Sequence, residues 1–328
     1  MTVSRLAAGE LARVAPLVEG YAFKSYRHYR TLSRKQQNAV MMAEIEQTLG
    51  HAGGIVLELR EGDHTAVAVA RSLEWDSRFF GVPMGRIEYL LASDPDVLPL
   101  VVSPACEALA AAGVRHPSAR VDVADVSAMT ALEAGGFRLM DALVTYTTRP
   151  RKEPPNAVRE VGTIRPFRDA DGPELLSIAE IAYRGFRGRF HLDPHLDHAR
   201  CEAFYLEWAR QCVSGAMADM IFVSEGGDGR LLGFLAFRRR EPVSSVGGVH
   251  VFGGGLGACR PDAPGAYAGL IRAGTIWAHE RDGVAECQTQ NYNFPTIRIY
   301  EAVGAHYVRA DYTLHCWMGS SVPSRRAT

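Results

Sequence analysis

Apolar and polar positions alternate with a period of two around Gly62-Asp63 in GIVLELREGDHTAVAVARSLEWD (54–76), which predicts a β-hairpin. ADMIFVSEGGDGRLLGFLAFRRRE (218–241) predicts a second one. Ahead of the first hairpin, Leu6, Leu11, Val14, Leu17 and Val18 fall near helical spacing. Residues 5–49 therefore read as mostly helical, with 34–49 stopped by Gly50. An apolar helix follows at 97–113, then a strand at 119–123, a helix at 126–135 stopped by Gly135-Gly136, and a strand at 137–148. RPRKEPPNAVREVG (149–162), rich in proline and charge, reads as a linker. Beyond it come a short strand from Thr163, a helix begun by Asp169-Ala-Asp and running to about 183, and a helix at 198–214. The second hairpin, a strand at 246–257 and a helix at 265–281 complete this part. The last stretch, 284–317, reads as a strand to Thr289, an asparagine-bearing turn, a helix closed by Gly304, and a strand to Trp317.

The two parts superimpose with an offset of about 168. Residues 54–72 fall on 222–240, Asp125 on Asn293, Glu133 on Glu301, Ala134 on Ala302, Gly136 on Gly304 and Thr145 on Thr313. One fold used twice is the expectation: α/β of the α+β kind, each copy with a mixed, mostly antiparallel sheet. The domains expected are 1–150, 151–162 as linker, and 163–328. Tyr300 falls on Leu132, and no glycine-rich turn precedes 97–113, so the first copy reads as degenerate, structural or acceptor-shaping. Chemistry is expected in the second.

Composition narrows the class without choosing within it. The 328 residues are 47% hydrophobic and 22% charged, with a net charge of −1, which argues against a nucleic-acid or anionic-membrane partner. Six cysteines without a C-x-x-C pair argue against a zinc cluster or disulfide framework, and no metal is expected. No apolar run of 18 residues and no signal-peptide h-region are found, so a cytoplasmic protein is expected, with a homodimer allowed as its assembly.

The order strand, Asn293, helix, Tyr300, Gly304, strand resembles the last third of the GNAT acyl-CoA N-acyltransferase fold. The turn Arg260-Pro-Asp-Ala-Pro-Gly-Ala-Tyr-Ala-Gly, between a strand and a helix, is similar to the GNAT phosphate turn R/Q-x-x-G-x-G/A. Gly265 matches; Tyr267 replaces the last small residue, and Asp262 and Pro264 replace the usual flank. The resemblance implies acetyl-CoA as cosubstrate. Its pyrophosphate would lie on the amides of Ala266, Tyr267, Ala268 and Gly269, and its pantetheine along Leu256, Gly257 and Ala258. A backbone N–H near Leu256 would hold the oxyanion, and Asn293 would bond the cofactor or orient the tyrosine. Tyr300, neutral with an intrinsic pKa of about 10, would protonate the departing thiolate.

For the general base, His191 in RGRFHLDPH (187–195) comes first, with His250 and Glu241 in reserve; His191 reads equally as a sugar or phosphate contact. LEWDSRFFG (73–81), RFHLDP and the N-x-x-T-x-x-I-Y-E of 293–301 together resemble the TDP-fucosamine acetyltransferase family. That resemblance implies a small-molecule amine acceptor, a nucleotide-linked aminodeoxyhexose. Arg187 and Arg189 would meet its phosphates or form a solvated basic turn, Phe190 would stack on it, and His315 would line its pocket. Trp75, Phe79 and Phe80 read as core before a stacking platform. An acyltransferase for another amine, such as an aminoglycoside-like metabolite or a peptide, and a non-catalytic acyl-CoA-binding protein remain the rivals.

Overall fold

The computed structural model describes residues 1–148 and 154–319. In chain order its main elements are β1 (Thr2–Arg5), α1 (Ala15–Gly20), α2 (Arg34–Gly50), β2 (Ile55–Glu61), β3 (His64–Ser72), α3 (Glu74–Phe80), β4 (Met84–Ala92), α4 (Leu98–Ala111), β5 (His116–Asp122), α5 (Val126–Ala134) and β6 (Arg138–Thr147). The second series is β7 (Thr163–Pro166), α6 (Gly172–Ala182), α7 (His198–Val213), β8 (Met220–Glu225), β9 (Leu231–Arg239), β10 (His250–Cys259), α8 (Ala266–His279), β11 (Gly283–Gln290), α9 (Phe294–Val303) and β12 (His306–His315). The duplication is plain in these spans. Helix α8 repeats α4, β11 repeats β5, α9 repeats α5 and β12 repeats β6, all near the offset of 168.

Two compact units result, and they do not follow the expected boundary at 151–162. The first holds residues 1–25, 41–140 and the chain from Asp311; the second holds 26–40 and 141–310. The reason lies in strand pairing. In the first unit the order is β1-β2-β3-β4-β5-β12, and Asp311–His315 of β12 pairs antiparallel with β5. In the second the order is β6-β11-β10-β9-β8-β7, and Leu143–Thr147 of β6 pairs antiparallel with β11. Each copy thus gives the later part of its last strand, 141–147 of β6 and 311–315 of β12, to the other's unit. Of the expected linker, 149–153 lies outside the described residues. The remainder is part of the second unit: Asn156 bonds Val303 and Ala302 at 3.1 Å each, and Val158 and Val161 pack into its apolar clusters.

The first unit packs α4 and α5 on one face of its sheet, around Val101, Leu109, Leu132 and Leu314. On the other face α1 and part of α2 cover Val56, Val67 and Val69. The stretch read as helical from residue 5 is broken. Residues 2–5 are strand, and 21–33 hold no helix. LEWDSRFFG forms α3: Phe80 is buried, as the core reading expects, whereas Trp75 and Phe79 are half-buried and stack on each other at 5.8 Å.

The second unit packs α6 and α7 on one sheet face, around Leu175, Ile178, Phe234 and Leu256. Helices α8 and α9 cover the other, around Phe237, Leu270, Ile271 and Tyr300. Burying each of these large side chains stabilises the fold by roughly 1.5–3 kcal/mol. Helix α8 comes so close to β9 that a β-carbon on Gly274 would stand 2.0 Å from the Phe237 ring.

Candidate active site

Strands β10 and β11 run parallel and pair from His250/Gly283 to Gly254/Cys287, then pair no further, although both continue. At the same level β10 bulges: Gly255 and Leu256 oppose Ala236 alone on β9. A bulge leaves backbone groups without ladder partners and turns the strand. The parted ends form a notch in the sheet of the second unit. Alternation fixes what faces it. Leu256 and Ala258 point to the α6/α7 side and are buried there, whereas Gly257 faces Tyr267 on α8.

Three phenols meet at this notch. Tyr300, two turns into α9 and 2% exposed, donates to the Gln288 carbonyl of β11 at 3.4 Å. Tyr183, at the end of α6, donates to the Gly257 carbonyl of β10 at 2.7 Å. Tyr267, in the first turn of α8, lays its ring against Gly257, with Cε2 2.9 Å from where a β-carbon would be. The Tyr267 and Tyr300 rings belong to the same apolar cluster. Burial, then the charge each would feel from its neighbours, raises all three well above the ordinary tyrosine value, so each stays protonated.

The turn before α8 is built as the sequence suggests in one respect. Gly265 is its N-cap in a left-handed conformation, φ 96°, that L side chains rarely adopt. Two of the amides assigned to a pyrophosphate have local partners: Ala266 N–H donates to Ala263 and Ala268 N–H to Gly265, at 3.3 and 3.2 Å. Arg260 is held by the Leu231 carbonyl at 2.8 Å and Glu174 at 3.1 Å, and Asp262 by Arg230 at 3.2 Å. Asn293 occupies the N-cap position of α9, but its side chain does not cap; Nδ2 donates to Thr289 Oγ1 at 2.8 Å instead.

The acceptor residues expected at 187–191 fold as one loop ahead of α7. Phe190 is not an open stacking platform: it is 6% exposed, packs on Phe204 at 4.8 Å, and carries the Arg189 guanidinium over its outer face at 4.4 Å. Arg187 is exposed, and its carbonyl accepts from the Tyr292 hydroxyl. His191 is buried; its Nδ1 accepts from Gly188 N–H at 3.3 Å, and Nε2 lies 3.7 Å from Glu202. Burial lowers its pKa, with Glu202 opposing. The His191 ring stacks on Tyr205 at 6.3 Å, and Tyr205 on Tyr183 at 4.5 Å, so two rings separate it from β10. His315 belongs to the first unit, where it is buried against His116 at 4.5 Å.

Sequence reasoning missed a polar group on the α6/α7 side of the same strands. Glu286 of β11, paired with Gly253 where the notch begins, accepts from Tyr29 at 2.9 Å and lies 3.5 Å from His28 Nε2. Tyr29 also meets Thr147 of β6 at 3.2 Å, and Arg240 lies against Gly253. A charged residue in the middle of an apolar strand was the available signal. Burial would raise the Glu286 carboxyl, but His28, Arg309 and Arg240 outweigh it and hold the group below its usual range. All six cysteines are free, and no helix among the described residues is long and apolar enough to cross a membrane.

This architecture is that of the GNAT fold, met over nearly the whole chain. A GCN5-related N-acetyltransferase from Sphaerobacter thermophilus superimposes with a TM-score of 0.60 at 13% identity, covering 96% of this chain and 95% of its own. A tandem GNAT protein from the clavulanic acid biosynthesis pathway gives 0.57 at 14%, covering 98% and 99%. A glucosamine N-acetyltransferase region of a fungal multi-domain β-N-acetylglucosaminidase gives 0.59 at 13%, covering 96% of this chain and 38% of that one. By sequence, the spore coat polysaccharide biosynthesis protein SpsD of Bacillus subtilis (strain 168) is 26% identical over 164 residues, 47% of this chain and 52% of its own, so about half of that relative is spanned. No family model matches the chain.

Proposed function

We propose that the second unit is an acyl-CoA-dependent N-acyltransferase, moving an acetyl group to the amine of an amino sugar, a nucleotide-linked aminodeoxyhexose of the kind used by TDP-fucosamine acetyltransferases. One observation carries the reading: parallel β10 and β11 part at a bulge, and the Tyr300 phenol stands at the parting. A thioester along β10 would put its carbonyl at the backbone groups the bulge frees, which can hold an oxyanion. A neutral amine attacks that carbon directly, the C–N bond forms and the C–S bond breaks. Tyr300, kept protonated by burial, gives its proton to the sulfur. Gly265 and the first turn of α8 would take the pyrophosphate, with Asn293 nearby. Sugar chemistry in two of the similar proteins, named for polysaccharide biosynthesis and for glucosamine acetylation, supports the acceptor class.

The test is thiol release from acetyl-CoA with a panel of amines, including D-glucosamine and dTDP-4-amino-4,6-dideoxygalactose. Release with a sugar amine supports the reading, and release only with a peptide or another amine moves the acceptor class. A second reading, acyl-CoA binding without transfer, is favoured by the Tyr300 hydroxyl being turned to the Gln288 carbonyl. It predicts saturable acetyl-CoA binding with no thiol release from any amine.

A further inference from the structure

We infer that His28 and Glu286 form the proton-accepting dyad for the incoming amine, on the sheet face opposite Tyr300. The inference rests on the transferase reading above and deepens it. Attack and departure take place on different sides of a carbonyl carbon, so a base belongs on the side away from the acid. Tyr300 packs with Cys287, and the neighbouring Glu286 points to the opposite face. There it stands opposite Gly253, one residue before the strands part.

The two side chains are 8% and 7% exposed, and neither ring nitrogen of His28 has a hydrogen bond among the described residues, Nε2 lying 3.5 Å from the Glu286 carboxylate. A buried polar atom without a partner calls for an occupant. With Nε2 turned to the carboxylate, Nδ1 is the atom left to receive a proton. The carboxylate fixes the tautomer and stabilises the imidazolium that forms, as in other carboxylate–histidine pairs. Tyr29 donates to the same Glu286 oxygen and Thr147 backs Tyr29. Tyr26 and Tyr29 flank the His28 ring at 6.5 and 4.2 Å. Arg240 and Arg309 are the charges facing Glu286 from the remaining elements. The proton leaves the acceptor nitrogen as the C–N bond forms and rests on His28 Nδ1. Glu286 stays ionised throughout.

The experiment compares pH profiles of kcat/KM for thiol release, using acetyl-CoA and whichever amine of that panel, D-glucosamine and dTDP-4-amino-4,6-dideoxygalactose included, the wild type acetylates. In wild type, activity rises with pH as the base loses its proton. His28→Gln is expected to lower the rate by roughly 10²–10⁴-fold and erase that limb, with acetyl-CoA affinity unchanged. Glu286→Gln removes the anion that favours the imidazolium, so its limb moves to lower pH. A purely structural role would leave the limb in place. An unmoved limb in Glu286→Gln, or a limb lost in His191→Gln and kept in His28→Gln, overturns the inference while the transferase reading stands. Should the wild type release no thiol with any amine of the panel, the transferase reading falls and takes this one with it. Should His28→Gln fail to fold, Glu286→Gln and His191→Gln decide.

Discussion

The Tyr267 ring fills the space that Gly257 leaves by lacking a side chain, with Cε2 2.9 Å from the missing β-carbon. The pair closes the notch from the α8 side, where a pantetheine arm would run. Tyr267 sits near the start of its helix, half-buried and packed at the edge of the α8/α9 cluster. Tyr267→Ala is expected to bind CoA several-fold more tightly, measured by titration calorimetry. Weaker binding would make the ring a contact rather than an obstacle.

The exchange of last strands carries its own prediction. Residues 163–328 alone lack β6, which pairs with β11 from Leu143 to Thr147, and also lack Tyr29 and its neighbours. An uncovered strand edge invites aggregation. The isolated fragment is therefore expected to be insoluble or to give a poorly dispersed amide spectrum. A well-dispersed spectrum with a melting point like that of the full chain would contradict the pairing.

Much of this was legible in the sequence, and what was not has physical reasons. The hairpins β2–β3 and β8–β9, the helix after Gly265 and the repeat were readable because local periodicity reports them. Strand exchange was not, since β6 and β12 have the same pattern whichever sheet they join. Phe190 read as a stacking platform because neither Phe204 beneath it nor its burial under Arg189 can be seen from spacing. Asn293 has the right position and type for a cap, yet Thr289 competes for its amide. His28 lay in a stretch read as helical, and only the tertiary fold brings it to Glu286, 258 positions along.

Gly274→Ala sets two effects against each other. An alanine in a helix interior gains about 1 kcal/mol over glycine. Here the β-carbon would enter the Phe237 ring, and overpacking costs about 1–3 kcal/mol. A net loss of stability is expected in urea denaturation. A variant as stable as wild type would show that α8 can move away from β9.

Acid sensitivity has an identifiable contributor. The hydrogen bond from Arg165 holds the Asp171 carboxyl below its ordinary value, against burial, with the Arg168 amide and both charges assisting. Its folded pKa is depressed. The stabilisation is therefore present above the unfolded value and lost as pH falls through the folded one. Wild type should lose stability more steeply than Asp171→Asn below about pH 4, while being about 1–3 kcal/mol more stable near neutrality. Parallel unfolding curves across that range would remove Asp171 from the account.

The most direct measurement is thiol release by Tyr300→Phe at saturating acetyl-CoA, beside the CoA dissociation constant of the same variant. The ring is kept and only the hydroxyl at Gln288 is lost. A fall in kcat of roughly 10²–10⁴-fold with CoA affinity little changed is the expected result. Turnover near that of the wild type would contradict the acid role of Tyr300, and with it the mechanism proposed for the second unit.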